Sequence, residues 1–584
     1  MHDYVIKGAT IVDGGGGTPY TGDVAVAGGR IVAVGGSITD AARETIAADG
    51  ALVAPGWVDV HTHYDGQVSW DDTIEPSHGN GVTTVVMGNC GVGFAPVPPG
   101  GEQTLIELME GVEDIPGTAL HEGMEWGRWE TFPEYLDYLA GRRFALDIGC
   151  QIAHGALRYY VMGARGVANE DATAADLQAM GTVVAEAMTA GALGFSTSRT
   201  IGHRSLWGDP VPGTFAPADE LLAIAGAMGR GVFQMIPAGT VGKLEALGGE
   251  RTHPVAEHEL MVRISEQSGR PVTFTFVRSP DYDGDLWREL LARTEAANAA
   301  GRAHLRPQVS SRPIGFVTGL SGYHAFQRRP SYMAIAHLSL AERVAAMRTP
   351  EVRAAILGEH DVRVEEPGSM MNVYGLFQRA AAAVYPLTDP VDYEPEMSAC
   401  LGARAAAEGR DVLEVLYDFL LEEDGRRFGS VMGMDLNDAH EVLREMLVHP
   451  QTVTGLSDAG AHVSLICDGS MPTTQLTHWT RDRHRGEQIP LELLVAKQTA
   501  GNAELFGLAD RGRLAPGLRA DINVIDHAGL RVSPPVAHQD LPAGGSRLMQ
   551  PVRGYVATLV AGELTRRHDT DTGARPGRLV RGGV

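Results

Sequence analysis

Between two glycine-broken, β-rich ends, this chain alternates short apolar β-branched runs with helical patterns eight times over. No other feature constrains the fold as strongly, because parallel strands must be joined by crossover helices and read as near-continuous apolar runs. The candidate strands are Val58–His63, Thr83–Cys90, Ala145–His154, Ala192–Ser198, Gly231–Ile236, Pro271–Val277, Leu305–Val309 and Thr452–Asp458. Eight such units predict an α/β chain built on a (β/α)8 TIM-like barrel with insertions. An open doubly wound sheet is the alternative.

The first runs, DYVIKGATIVDG, DVAVAGGRIVAVGG and ETIAADGALVAP, alternate apolar and polar residues between glycine turns, and ADINVIDHAGLRV and GYVATLVAGELT near the C-terminus share that texture. The two ends are expected to pair into one small β-sandwich, residues 1–55 supplying one part and 511–584 the other. Residues 56–510 then form the barrel. Its largest gap, about 318–450, carries LSLAERVAAMRTPEVRAAIL and DVLEVLYDFLLEE, which predict a helical insertion near the barrel mouth and a surface suited to a homo-oligomer contact. The Arg/Gly-rich tail after Glu563 is the one stretch whose composition suggests disorder.

Composition narrows the partners. With 48 basic and 73 acidic side chains the net charge is −25, which disfavours nucleic acid and anionic membrane as partners and leaves a small-molecule substrate. The N-terminus MHDYVIKGATIVDGG lacks a basic segment followed by an apolar run, and no window is long and apolar enough to span a membrane. Four widely spaced cysteines, at 90, 150, 400 and 467, form no disulfide framework. A soluble cytoplasmic protein is expected.

Three motifs carry chemistry. In Trp57-Val-Asp-Val-His61-Thr-His63 two histidines two apart at a strand's end point to the same side and deliver two imidazoles to one place, a donor set suited to Zn²⁺. The plainer reading is a pair of ordinary strand histidines. In Met87-Gly-Asn-Cys90-Gly a cysteine flanked by glycines ends the next strand. It is either a buried apolar side chain or, beside the histidines, a metal ligand. In Thr454-Gly-Leu-Ser-Asp458-Ala-Gly-Ala-His462 the last strand ends in a carboxylate that can bind a metal and accept a proton from water, or cap the following segment.

HTHYD after APGW, GNCG after VTTVV, and GLSDAGAH between β-rich ends resemble the amidohydrolase superfamily, and more closely its N-acyl-D-amino-acid deacylase (D-aminoacylase) group. ADGALVAPGWVDVHTH and LADRGRLAPGLRADINVID extend the likeness over nearly the whole chain. The resemblance implies a zinc-dependent hydrolase of non-peptide carbon–nitrogen bonds. His61, His63 and Asp458 match the group's ligands, Cys90 its metal-bridging cysteine, and Asp458 also its proton shuttle.

The chain departs from that pattern at strands five and six, where the group places histidines. Here Gln234 and Met235, or Thr275 and Phe276, stand in their positions. A Gln carbonyl and a thioether are poor zinc ligands, so one Zn²⁺ per chain is expected. Substrate-binding candidates are His154 at the end of strand three, Arg199, His203 and Arg204 after strand four, and Arg278 after strand six, the arginines offering a fork for a substrate carboxylate. The alternative for each is structural: a hydrogen-bonded histidine, or arginines paired with the chain's own acids. His462 and Asp468 are expected to support the metal ligands. The function expected is hydrolysis of an N-acyl amino acid by zinc-activated water. Cyclic amide or ester hydrolysis, metal-assisted decarboxylation, and non-catalytic metal or ligand binding are the alternatives.

Overall fold

The computed structural model describes residues 1–279, 281–282, 284–366, 368–432 and 440–582. Its centre is one eight-stranded sheet of β1 (Trp57–Asp59), β2 (Val82–Met87), β3 (Asp147–Ala153), β4 (Gly194–Ser198), β5 (Val232–Ile236), β6 (Val272–Thr275), β7 (Leu305–Val309) and β8 (Val453–Thr454), paired in chain order. Every neighbouring pair is parallel. Each of the eight apolar runs supplies one strand. The sheet closes into a barrel where the first and last strands meet. His63 N donates to Ala459 O at 2.8 Å, Asp458 N to His61 O at 3.2 Å, and the Asn502 amide to both Val58 O and Thr454 O.

β1 and β8 are shorter than the apolar runs that announced them. Past Thr454 the backbone takes left-handed φ values at Leu456 (61°) and Asp458 (46°), so regular strand geometry ends before the chemistry begins. The barrel core runs through Trp57, Val85, Met87, Ile148, Phe195, Phe233 and Val309, all at most 1% exposed. Burying an apolar side chain of this size stabilises by roughly 1.5–3 kcal/mol.

The two chain ends share a single nine-stranded sheet, the β-rich domain. Leu52–Pro55 runs antiparallel to Ile522–Ile525, with Val53 opposite Val524, so the N- and C-terminal segments are hydrogen-bonded side by side. Ile6, Ile11, Val24, Val53, Ile522, Val524 and Leu559 form its core. Through residue 582 the Arg-rich tail packs along the barrel, its charges met by acids of the barrel and of the tail itself. Arg575 pairs with Asp72 and Asp571, Arg581 with Asp137, and Gly577 and Leu579 bridge to Phe144 and Ile148.

The insertion between β7 and β8 contains the expected helices, among them Leu340–Met347, started by a Ser339/Glu342 capping box, and Val412–Leu420, capped by Asp411. It also holds an antiparallel three-stranded sheet, Gly315–Thr318, Gly429–Met432 and Val384–Pro386, that periodicity did not announce. Its own core, with Leu320, Phe326, Ile356, Leu416 and Phe419, takes in Leu465 and Ile466 from the segment just after Asp458. Val317 N bonds to Leu465 O at 2.7 Å. That contact seats the insertion at the C-terminal, functional face of the barrel. Among the described residues no helix is long and apolar enough to cross a membrane, and the cysteines are unpaired.

Candidate metal centre

Asp59, His61 and His63 follow one another with period two, and the backbone of Thr62 is held by Val86 on one side and Ala459 on the other. Both imidazoles therefore enter the barrel at its mouth, 1% and 0% exposed. Cys90 follows β2 at φ 58°, a left-handed value that aims its side chain inward. The flanking glycines make that turn possible: Gly88 has φ 80° and Gly91 φ 72°, and a Cβ would lie 2.3 Å from Gln151 O at the first and 2.9 Å from Ser198 N at the second. Asp458 arrives from β8 through its own left-handed turn.

Four donor atoms converge. His61 Nε2 lies 3.3 Å from Cys90 Sγ and 3.3 Å from Asp458 Oδ1, while His63 Nε2 lies 3.8 Å from Cys90 Sγ and 3.6 Å from Asp458 Oδ1. A tetrahedral zinc, with N and O at about 2.0 Å and S at about 2.3 Å, spaces its donors by roughly 3.3–3.6 Å. The spacings from each imidazole to the thiol and to the carboxylate, 3.3–3.8 Å, lie near that figure, and the donor atoms of His61, His63 and Cys90 all fall within 4.8 Å of one another. His61 is oriented from behind by a hydrogen bond between Nδ1 and Gln308 Oε1 at 2.7 Å, and the Glu113 carboxylate stands 3.3 Å from His63 Nδ1 as an ion-pair partner without hydrogen-bond geometry. Glu113, 1% exposed, also faces His462 Nε2 at 3.4 Å through its other oxygen.

The electrostatics call for a cation. Burial lowers the His61 pKa to about 4, with Asp458 opposing, so this ring is neutral and its lone pair is available. For His63 burial also disfavours charge, but Glu113 and Asp458 outweigh it and hold the pKa near 9. Asp458 is held well below the usual carboxylate range: burial pushes it up, and the two imidazoles more than offset that. The Cys90 thiol is pushed well up by burial and by the acids Glu113, Asp458 and Asp65. Burial raises Asp59 to about 7, Asp65 to about 6 and Glu113 to about 8. So many buried acids repel one another, and a divalent ion among them relieves the repulsion.

The other expected residues fall in different surroundings. His203 bonds Ser198 Oγ through Nδ1 at 3.0 Å and lies within the field of His462, His63 and Asp458; burial and those imidazoles lower its pKa to about 3. His154 is fully enclosed, with Nδ1 2.8 Å from Thr197 Oγ1 and Nε2 2.8 Å from Glu220 Oε1. The Arg199 fork grips Glu257 at 2.7 and 3.0 Å. Arg204 donates to Ile201 O and Leu247 O, with Glu366 at 3.9 Å. Arg278 lines a cavity past β5 and β6 with Pro237, Thr275, Phe276 and Tyr282. Asp468 pairs with Arg312 at 2.8 Å.

Gln234, which occupies the position of an expected strand-five histidine, accepts a bond from Cys90 N at 3.3 Å, and Thr275 ends β6. Sequence reasoning missed Glu113 and Gln308. Gln308 carried a readable signal, a polar residue near the end of an apolar barrel strand, the same signal that singled out Asp458. Glu113 ends the helix Glu102–Glu113 and carried none beyond an acid beside apolar positions.

A closed parallel barrel whose mouth gathers His-x-His, a thiol and a last-strand carboxylate offers a donor set suited to a metal ion at the face where such barrels carry their sites. A family model described as the amidohydrolase family matches residues 44–566, and the chain belongs to that family, in its D-aminoacylase-like group. D-aminoacylase of Alcaligenes xylosoxydans xylosoxydans is 27% identical over 549 residues, spanning 93% of this chain and 92% of that protein. N-acyl-D-aspartate deacylase of the same organism is 36% identical over 222 residues, 38% of this chain and 40% of that one. Among solved structures, D-aminoacylase matches with TM-score 0.64 at 25% identity over both whole chains. N-acyl-D-glutamate deacylase from Bordetella bronchiseptica, complexed with zinc and a phosphonate inhibitor, matches with TM-score 0.62 at 25% identity over 99% of each.

Proposed function

We propose that this amidohydrolase removes the acyl group from N-acyl amino acids, those of D configuration first, using one Zn²⁺ held by His61, His63, Cys90 and Asp458. The approach of both imidazole Nε2 atoms to Cys90 Sγ and to Asp458 Oδ1, at 3.3–3.8 Å, carries the reading. Zinc there supplies a Lewis acid for the amide carbonyl and brings the pKa of a water toward about 7. Gln308 fixes the His61 ring by its hydrogen bond, and Glu113 offers the His63 ring a buried counter-charge. Asp458 is ionised and in reach of the centre, so it takes the proton from the attacking water and passes it to the leaving nitrogen.

His203, in the loop after β4 and kept neutral by burial and the neighbouring imidazoles, is the candidate donor to a developing oxyanion. Arg278 is the anchor for the amino-acid carboxylate, supported by its place in the cavity past β5 and β6 beside Tyr282. His154, Arg199 and Arg204, committed to Glu220, Glu257 and backbone carbonyls, act as positioning residues for the loops around them. The free thiols suit a reducing, cytoplasmic setting. The test is a panel of N-acyl amino acids of both hands offered to chelator-stripped and zinc-restored protein, scoring free amine. Amine release restored by zinc and selective for one hand is expected. Release of CO₂, or no zinc-restored release from any member, rejects the reading.

A further inference from the structure

Among the described residues a second group of metal-capable side chains converges away from the barrel mouth: Glu394, His440 and His478, with one donor atom from each within 4.8 Å of the others. It shares no residue with the first. Glu394 and His440 belong to the insertion. His478 stands in the π-helical stretch Gln475–Asp482 that follows the last barrel strand.

Burial makes the group informative. Glu394 is 2% and His440 1% exposed, and the His478 side chain is 10% exposed. Both carboxylate oxygens of Glu394, both ring nitrogens of His440 and Nε2 of His478 are buried with no hydrogen-bond partner. Each such group costs about 1–3 kcal/mol if it stays unsatisfied. Arg483 Nη2 stands 3.8 Å from Glu394 Oε1 while bonding Glu441 Oε1 at 2.5 Å, and Arg485 Nη1 donates to the backbone carbonyls of Glu394 and Pro395, so both carry charge to the carboxylate while its oxygens keep no hydrogen bond. His478 Nε2 lies 3.8 Å from Glu394 Oε2, and the two imidazole rings are 6.2 Å apart at 57°. His440 is held at φ 57°, a conformation rare outside glycine and typical of functional positions.

We infer that Glu394, His440 and His478 bind a divalent transition-metal ion, Zn²⁺ or a near relative, that pins the insertion to the barrel. Two imidazoles and a carboxylate are the donor set such ions select, and Glu394 can complete the coordination by binding through both oxygens. With two ligands from the insertion and one from the barrel, the ion stabilises their packed arrangement and adds its binding free energy to folding.

The experiment uses the full chain, stripped with chelator, reloaded with Zn²⁺, desalted and assayed for metal. The His440→Ala/His478→Ala variant is expected to retain one zinc fewer per chain than the unmodified protein and to lose part of the zinc-dependent rise in Tm. The complementary variant, His61→Ala/His63→Ala/Cys90→Ser, removes the barrel centre and is expected to retain one zinc whose X-ray absorption shows nitrogen and oxygen neighbours at about 2.0–2.1 Å and no sulfur. Should the first variant fail to fold, the second decides. No zinc retained in that background, or sulfur in its first shell, overturns the assignment. Equal zinc in the unmodified protein and a folded His440→Ala/His478→Ala variant does the same. Failure of the barrel centre alone shows separately, as zinc unchanged by loss of His61, His63 and Cys90.

Discussion

Gln308 Oε1 lies 2.7 Å from Nδ1 of His61. An amide oxygen only accepts, so the ring carries its proton on Nδ1 and presents the Nε2 lone pair to Cys90 and Asp458. Replacing Gln308 by Leu frees the ring to take the other tautomer. Zinc affinity should fall by about 10–100-fold, the usual effect of removing such a partner. Competition against a chromophoric chelator measures it. An unchanged Kd would remove Gln308 from this role.

Proton release on metal binding follows from the site's charges. Near pH 7.5 the Cys90 thiol, pushed up by burial and nearby acids, and His63, held near 9, both retain protons, whereas His61, near 4, has none to lose. Zinc must displace the thiol proton in binding Cys90, so loading at this centre should release at least one proton per ion and tighten as pH rises. An indicator-dye titration in weak buffer, made in the His440→Ala/His478→Ala background, counts them. Cys90→Ser should lower the count by about one. A count that this substitution leaves unchanged means that the thiol is not a ligand.

Asp458 offers the sharpest kinetic test. Asp458→Asn keeps the size of the side chain but cannot carry a proton. Turnover should fall by about 10²–10⁴-fold even when compared at equal zinc occupancy and at a temperature where both proteins are folded. Steady-state rates of amine release on the zinc-loaded variant check this. Loss of less than tenfold would assign the proton relay elsewhere.

The barrel was legible because its strands are buried on both faces and so read as uninterrupted apolar runs. VTTVVM and VFQMI need no partner to be recognised. The residues that meet at the barrel mouth were legible for the same reason, since His61, His63 and Asp458 are polar residues where such runs stop. Glu113 was hidden because its contact is made across 50 residues of sequence from His63, and nothing local distinguishes it from a solvated helix acid. The strand Val384–Pro386 was hidden because three residues carry no periodicity, and its pairing with Gly429–Met432 is purely tertiary. Arg199 looked like a substrate fork because a sequence does not show that Glu257 already fills it. His440 and His478 gave no pattern at all, being separated by an entire barrel strand.

Stability in acid should depend on Glu220. Its side chain is fully buried and receives His154 Nε2 at 2.8 Å and Arg158 Nη1 at 2.6 Å. Burial by itself raises its pKa, but His154 and Arg158 outweigh this and bring it to about 2, below the ordinary 4.5. A carboxyl whose folded pKa is depressed contributes stability that is complete above its unfolded value and is lost as pH falls through the folded one. That window runs from about 4.5 down to about 2, and a shift of this size corresponds to about 3 kcal/mol. In Glu220→Gln the acid-dependent part should vanish, so that its stability curve is flatter than the parent's over this window. At pH 7 the variant should be less stable by about 3–5 kcal/mol, because the Arg158 guanidinium stays buried without its counter-charge. Denaturant unfolding of both proteins at pH 3, 5 and 7 tests the two effects together. Parallel curves for the variant and the parent between pH 5 and pH 3 would show that Glu220 is not the group that titrates.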